Sequence, residues 1–195
     1  MKQILFLLSF VFPFLAFSQE KPYKENTDGS ITFERILQAE SKSADVLYSD
    51  IQGFFATNYA DAKNVIQAQN EEQYFIIGKG IFPKIISWTN SMIGEKYILN
   101  VPHTVRIDCK DVRVRVQYTV SEYEQESGNW VNFESGYEVS TYPISSKYPI
   151  KPSKKQNKLN KEEKRYNEAF SNLTGIIEQQ FNAINEAINT NNQDW

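Results

Sequence analysis

The chain of 195 residues has one cysteine and one histidine. A lone cysteine excludes an internal disulfide framework, and a lone histidine excludes a multi-histidine metal site. Neither charge sign dominates: 21 Lys and Arg stand against 24 Asp and Glu, for a net charge of −3. That balance argues against a protein built to coat nucleic acid or anionic lipid. Beyond residue 18 there is no apolar run of the ~20 residues that a membrane-spanning helix requires. Gly78-Lys79-Gly80 is too short for a phosphate loop, and His103 beside Pro102 lies in no motif. The Ser, Thr and Asp residues follow no nucleophile pattern. No cofactor is implied.

What the chain does have is zoned. After Met1-Lys2-Gln3, residues 4–17 are almost all Leu, Phe, Ile and Val, ending in Ala16-Phe17-Ser18. A short positive start, a brief apolar run and small residues three and one before a cut are the layout of a secretory signal peptide. Cleavage is expected between Ser18 and Gln19. Pro13 interrupts the run, which is too short for a stable membrane anchor. The product is therefore expected to be exported, to a periplasmic or secreted destination. In that oxidising setting Cys109 has no partner and reads as a buried small hydrophobe.

Residues 19–30 are polar and read as a mobile leader with an Asp28-Gly29 turn. Alternation from Ile31 to Ala39 predicts a strand. Ser43 is a plausible helix N-cap, followed by Asp45 and an apolar stripe of Val46, Leu47, Ile51, Phe54, Phe55 and Tyr59 that ends near residues 58–60. A short strand at Val65–Ala68, a polar turn at residues 70–72 and a strand from Gln73 to Ile81 follow. Across 82–103, Ile85, Ile86 and Trp88 fit either a strand or a packed loop, and Pro102 opposes a central strand position. The clearest β signal comes next. Val105, Ile107 and Cys109 alternate with Arg106 and Asp108; after Lys110-Asp111 the parity flips and Val112, Val114, Val116, Tyr118 and Val120 take the apolar places. A parity flip across a short turn keeps one face buried on both arms of a hairpin. Residues 130–142 read as a further, more exposed strand or hairpin.

From 143 to 165 the chain becomes Pro- and Lys-rich, with eight basic residues against Glu162 and Glu163, and reads as a linker. Beyond it Tyr166, Phe170, Leu173, Ile177, Phe181, Ile184 and Ile188 recur every three or four residues, the stripe of an amphipathic helix over 166–190. Its apolar face is expected to pack on the sheet; the competing reading is self-association or docking on a partner.

The strand-plus-helix opening, the Phe75 to Gly80 strand and the Cys109-Lys110-Asp111 hairpin together resemble an exported bacterial family, common in Bacteroidetes, described as a domain of unknown function with a TATA-binding-protein-like (TBP-like) fold. The likeness covers roughly residues 31–125, within a domain bounded at 31–142. The family pattern has a Gly after the Lys-Asp pair, where this chain has Val112. The resemblance implies an α+β fold: a curved antiparallel sheet in β-α-β-β-β-β-α order with helices packed on one face. It implies no activity.

DNA binding does not follow from such a fold, because groove binders of this shape use basic, wedge-bearing concave faces and normally two repeats. Outside the linker the mature chain carries 12 basic against 22 acidic residues, which repels phosphate. Four basic residues on the hairpin, Arg106, Lys110, Arg113 and Arg115, are the candidate ligand-binding set, as an anion site; the competing reading is a solvated strand face whose long side chains discourage edge pairing. Asp108 with Asp111 reads as a turn former more readily than as a cation site, and Glu122, Glu124 and Glu126 as a solvated edge. The function expected is a non-enzymatic binding or interaction module of the cell envelope, its partner an envelope protein or polysaccharide. An envelope hydrolase with a scattered site, and self-assembly through the last helix, are the alternatives.

Overall fold

A computed structural model describes residues 21–59, 61–129, 138–145 and 156–190. The expected signal peptide, residues 130–137 and the stretch 146–155 lie outside the described residues. In chain order the elements are β1 (Lys24–Glu25), β2 (Ile31–Gln38), α1 (Ala44–Asn58), α2 (Ala62–Val65), β3 (Ile66–Asn70), β4 (Phe75–Asn90), β5 (Glu95–Lys110), β6 (Arg113–Val120), β7 (Glu122–Asn129), β8 (Glu138–Pro143) and α3 (Gln156–Asn189). The strands form one antiparallel sheet ordered β1-β2-β6-β5-β4-β3, with β7 and β8 continuing beside the first half of β5.

Residues 82–103 are strand on both sides of a tight turn, and Pro102 stands inside a central strand. The register explains how. Phe82 pairs with Val101 but Ile86 pairs with Leu99, so two extra residues bulge out of β4. On the other side of β5, His103 pairs with Val120 and Asn100 with Glu124, so β6 hands over to β7 at the same level. Bulges bend and twist a strand. Pro102 still pairs with Ile81 of β4, but on its other side it falls in the gap between β6 and β7, where the ladder tolerates a missing donor. Asn100 secures the bend from within: its side chain accepts the Lys84 N–H (2.8 Å) and donates to Glu126 (2.7 Å). Glu126 therefore belongs to this interior network, and β7, paired on both sides, is no edge strand.

Side chains alternate across the sheet. One set is buried: Phe33, Val105, Ile107, Val114, Val116 and Tyr118 are all within 1% of full burial. Helices α1 and α3 cover that face. Leu47, Ile51 and Phe55 of α1 and Leu173, Ile177, Phe181, Ile184 and Ile188 of α3 are buried to the same degree. Each such side chain contributes about 1.5–3 kcal/mol, so the α3 stripe alone contributes on the order of 10 kcal/mol, comparable with the whole stability of a domain. Helix α3 is thus part of the core. It also starts earlier than the sequence suggests: residues 156–165, expected in the linker, are its first turns, held by the Arg165 guanidinium over Trp88 (4.7 Å) and by Tyr166 edge-on to Tyr123 (5.6 Å). The expected mobile leader is tied down as well. Lys24 and Glu25 pair with β2, and Tyr23 packs on Phe33 and Phe170.

Ser43 occupies the N-cap of α1 but makes no capping bond. Asp111, from the tip of the β5–β6 hairpin, accepts the Ala44 N–H instead (2.9 Å). Val112 beside it donates to the Lys42 carbonyl and accepts from the Ala39 N–H, both at 2.9 Å. These three bonds fix the hairpin tip against the β2–α1 loop and hold Val112 at φ +60°, a region hostile to β-branched residues. The left-handed conformation costs about 1–2 kcal/mol with a Cβ present, against about 0.5–1 kcal/mol of chain entropy for glycine. Val112→Gly is therefore expected to raise unfolding free energy by about 0.5–1 kcal/mol in urea titration. Val112→Ala, which keeps the Cβ, is expected to give no such gain.

Candidate functional site

Because α1 and α3 lie on one side, the other face of the sheet carries no helix among the described residues and is called the bare face. The register assembles its side chains into rows. Phe75, Asp108, Arg115 and Ile36 stand abreast on β4, β5, β6 and β2; Ile77, Arg106, Gln117 and Glu34 form the next row; Lys79, Thr104, Thr119 and Thr32 the third. All four basic residues singled out in the sequence, Arg106, Lys110, Arg113 and Arg115, belong to this face.

Asp108 draws two of them together. Its carboxylate accepts from Nε and Nη2 of Arg106 (2.7–3.1 Å) and from Nε and Nη2 of Arg115 (2.9–3.3 Å). Partial burial pushes the Asp108 pKa up, but the two guanidiniums outweigh it and hold the carboxyl below its ordinary range. The same hydrogen bonds raise Arg106, whose guanidinium also lies 4.9 Å over the Phe75 ring. Asp108 is therefore neither a turn former nor half of a cation site, and Asp111 is spent as a helix cap. The signal for Asp108 lay in the hairpin itself, since a two-residue turn after Lys110 sets Asp108 opposite Arg115. Lys110 and Arg113 face each other at the hairpin end and make no ion pair among the described residues.

Apart from Lys79, the third row is neutral. Thr32 and Thr119 hydroxyls are 3.0 Å apart, and the Asn26 side chain donates to Thr32 (2.9 Å). Beside it a shallow open depression is lined by Lys79, Ile81, Pro102, Thr104, Thr119 and Ser121. Ile36 and Ile81 are 53% and 55% exposed.

Residues 33–124 match the model of a family described as a domain of unknown function (DUF4468) with TBP-like fold. The chain carries a DUF4468 domain. Among solved structures it is similar to a TBP-like protein from Parabacteroides distasonis, at 16% identity and a TM-score of 0.54, over 84% of this chain and 95% of that one. It is also similar to a DUF4468 family protein from Bacteroides ovatus, at 15% identity and a TM-score of 0.48, over 87% and 92% of the two chains. At 16% identity the likeness to the Parabacteroides protein is one of fold alone. No curated protein matches the chain.

On the covered face of this DUF4468 sheet lie the groups that the sequence left without a role. A Cβ on Gly78 would stand 2.9 Å from the Phe55 ring, and one on Gly80 2.9 Å from the His103 ring. The two glycines let α1 aromatics and His103 press onto β4. Cys109 is buried, and burial pushes its thiol up to about 12, so it is inert. His103 stacks on Phe82 at 3.9 Å and lies 5.5 Å from Tyr118. Among the described residues neither of its ring nitrogens has a hydrogen-bond partner of normal geometry. Burial holds its pKa at about 4, outweighing the nearby Val101 backbone, which favours the proton. An imidazole sealed in this way is neutral at pH 7 and serves packing. It also makes folding pH-dependent. Unfolded His103 takes a proton near pH 6.5 and folded His103 only near 4, so its contribution is present above 6.5 and is lost as pH falls from 6.5 to about 4. In urea titrations, wild type minus His103→Phe is expected to be flat above pH 7.5 and to fall by up to about 3 kcal/mol between 6.5 and 4. Parallel pH profiles would mean that His103 takes its proton at the same pH folded and unfolded, and is not sealed.

Proposed function

We propose that the protein is a non-enzymatic binding module of the bacterial cell envelope, and that the bare sheet face is its binding surface. The observation that carries this reading is asymmetry: one face of the sheet is sealed by α1 and α3, while the other leaves Ile36 and Ile81 more than half exposed among guanidinium, threonine and amide groups. Exposed apolar groups ringed by fixed polar ones are what an interaction surface provides. Among the described residues the face has no companion cleft in which titratable groups converge. Asp108 is engaged by both arginines and Glu34 accepts from Gln117, so neither carboxylate in these rows stands free as a hydrolase's acid or base. Self-association through the last helix finds no free apolar stripe, because Leu173, Ile177, Phe181, Ile184 and Ile188 are inside the core.

A diazirine side chain at position 117, central on the bare face, is expected to give a discrete photo-adduct in whole cells. The same group in place of the exposed Glu186 on α3 is expected to give none. Equal labelling at both positions would remove the bare face as the binding surface.

Export is the second half of the proposal, supported by the apolar start and the small residues Ala16 and Ser18; no described helix is long and apolar enough to cross a membrane. Mass spectrometry of the N-terminal peptide from cells is expected to begin at Gln19. A chain retaining Met1 would overturn it.

A further inference from the structure

We infer that the ligand of the bare face is an acidic polysaccharide, its carboxylates held by the Arg106–Asp108–Arg115 cluster with Lys110 and Arg113 and its hydroxyls by the threonine row beside it. This rests on reading that face as the binding surface. The first support is charge segregation. Where β4, β5, β6 and β2 run side by side, the face gathers Lys79, Arg106, Lys110, Arg113 and Arg115 against Glu34 and Asp108, although the chain as a whole is acidic; the glutamates Glu122, Glu124 and Glu126 of β7 lie on the same side but beyond the bend at Asn100–Pro102. Anions are drawn to this side and repelled from the rest of the molecule.

The second support is preorganisation. Asp108 takes one edge of each guanidinium, through Nε and Nη2, and Phe75 backs Arg106. The Nη1 donors of both arginines are not used by Asp108, and one carboxylate offsets only one of the two charges. Two guanidiniums are thus immobilised side by side before any ligand arrives, which lowers the ordering cost of binding a carboxylate. Lys110 and Arg113, paired across the strands at the hairpin end, extend the positive strip along the hairpin.

The remaining observations select the polymer. Inner strands of this sheet have their backbone groups in the ladder on both sides, so an acidic peptide finds no edge here to extend as a new strand. Bases of a nucleic acid stack on exposed aromatic rings, and the aromatic ring of these rows, Phe75, lies beneath Arg106. Sugars ask for neutral donors and acceptors next to the cations. Thr32, Thr119 and Thr104 abreast, with Asn26 behind Thr32, supply them one row from Gln117 and Arg106. Ile36 and Ile81 offer exposed apolar ground at opposite corners for ring C–H faces.

Native gel electrophoresis of the chain from Gln19 onward, in gels containing polygalacturonate, tests this. Polygalacturonate is expected to retard the protein, neutral dextran to leave its mobility unchanged, and added salt to weaken retardation. Lys110→Glu with Arg113→Glu is expected to weaken binding by roughly tenfold or more. Lys161→Glu with Lys164→Glu, on the exposed side of α3, is expected to leave it unchanged. Absence of retardation overturns the proposal, as does equal loss in the α3 variant. Equal binding of poly-glutamate or of an oligothymidylate overturns it too, by assigning the face to an acidic peptide or a nucleic acid. If polygalacturonate fails while position 117 still gives its photo-adduct, the face stands as a binding surface and only the polysaccharide falls.

Discussion

Phe181 lies edge-on to Tyr118 in the middle of the sheet, 5.8 Å away, while the Arg35 guanidinium lies over its ring at 4.7 Å and reaches Glu178 one turn back along α3 at 2.7 Å. This contact seats a helix of 34 residues, about 51 Å long, across a sheet that bends beneath it. Farther along, Asn172 donates to the Ile85 carbonyl inside the β4 bulge, and Asn189 to the Gln38 carbonyl at the end of β2. A single helix thus bridges both halves of the sheet. Without it the buried side of β2, β5 and β6 would be open to water, so the docking of α3 decides which face of the sheet is interior and which is left exposed.

The bend matters because α3 is straight and long while the strands are also long. Flat strands of 16 residues would carry their ends away from the helix; the coincident irregularities in β4 and at the β6–β7 junction place the change of direction at Asn100–Pro102. Asn100 is buried and its side chain bridges the two flanking strands, so the polar group that the bend buries is also the one that fixes it. A buried amide with its donors and acceptors matched favours one register over its neighbours. The β5–β6 hairpin is fixed in a comparable way from outside, where Asp111 and Val112 fasten its tip to the loop before α1.

Where the sequence pattern was regular, it was readable. The parity flip around Lys110-Asp111 placed the hairpin and its four basic residues on one face, and the stripe from Leu47 to Phe55 placed α1. Residues 82–103 were opaque because the bulge resets the alternation: Phe82 and Ile85 are both buried at an odd spacing that no strand template contains. The start of α3 was hidden for a different reason. Residues 156–165 carry no apolar stripe; the contacts recorded for its first turns, Arg165 on Trp88 and Tyr166 on Tyr123, are with strands some forty or more positions away in the chain. The candidate site was half legible. Its cations could be named one by one, but the threonine row depends on β2 pairing with β6, across more than eighty residues of sequence.

That division bears on how a net charge should be read. A value of −3 suggests a protein without affinity for anions. The fold contradicts the average locally. Antiparallel pairing brings Arg106, Arg113 and Arg115 onto one surface because their alternate neighbours, Val105, Ile107, Val114 and Val116, must all point the other way into the core. The hydrophobic demand of the covered face therefore determines where the cations of these strands gather. Asp108 then moderates them: by holding two guanidiniums it reduces their mutual repulsion, and by offsetting only one charge it leaves the pair attractive to a further carboxylate. A cluster balanced in that way suits reversible binding to a repeating anionic polymer, where many moderate contacts act in sum, better than tight capture of a single small anion.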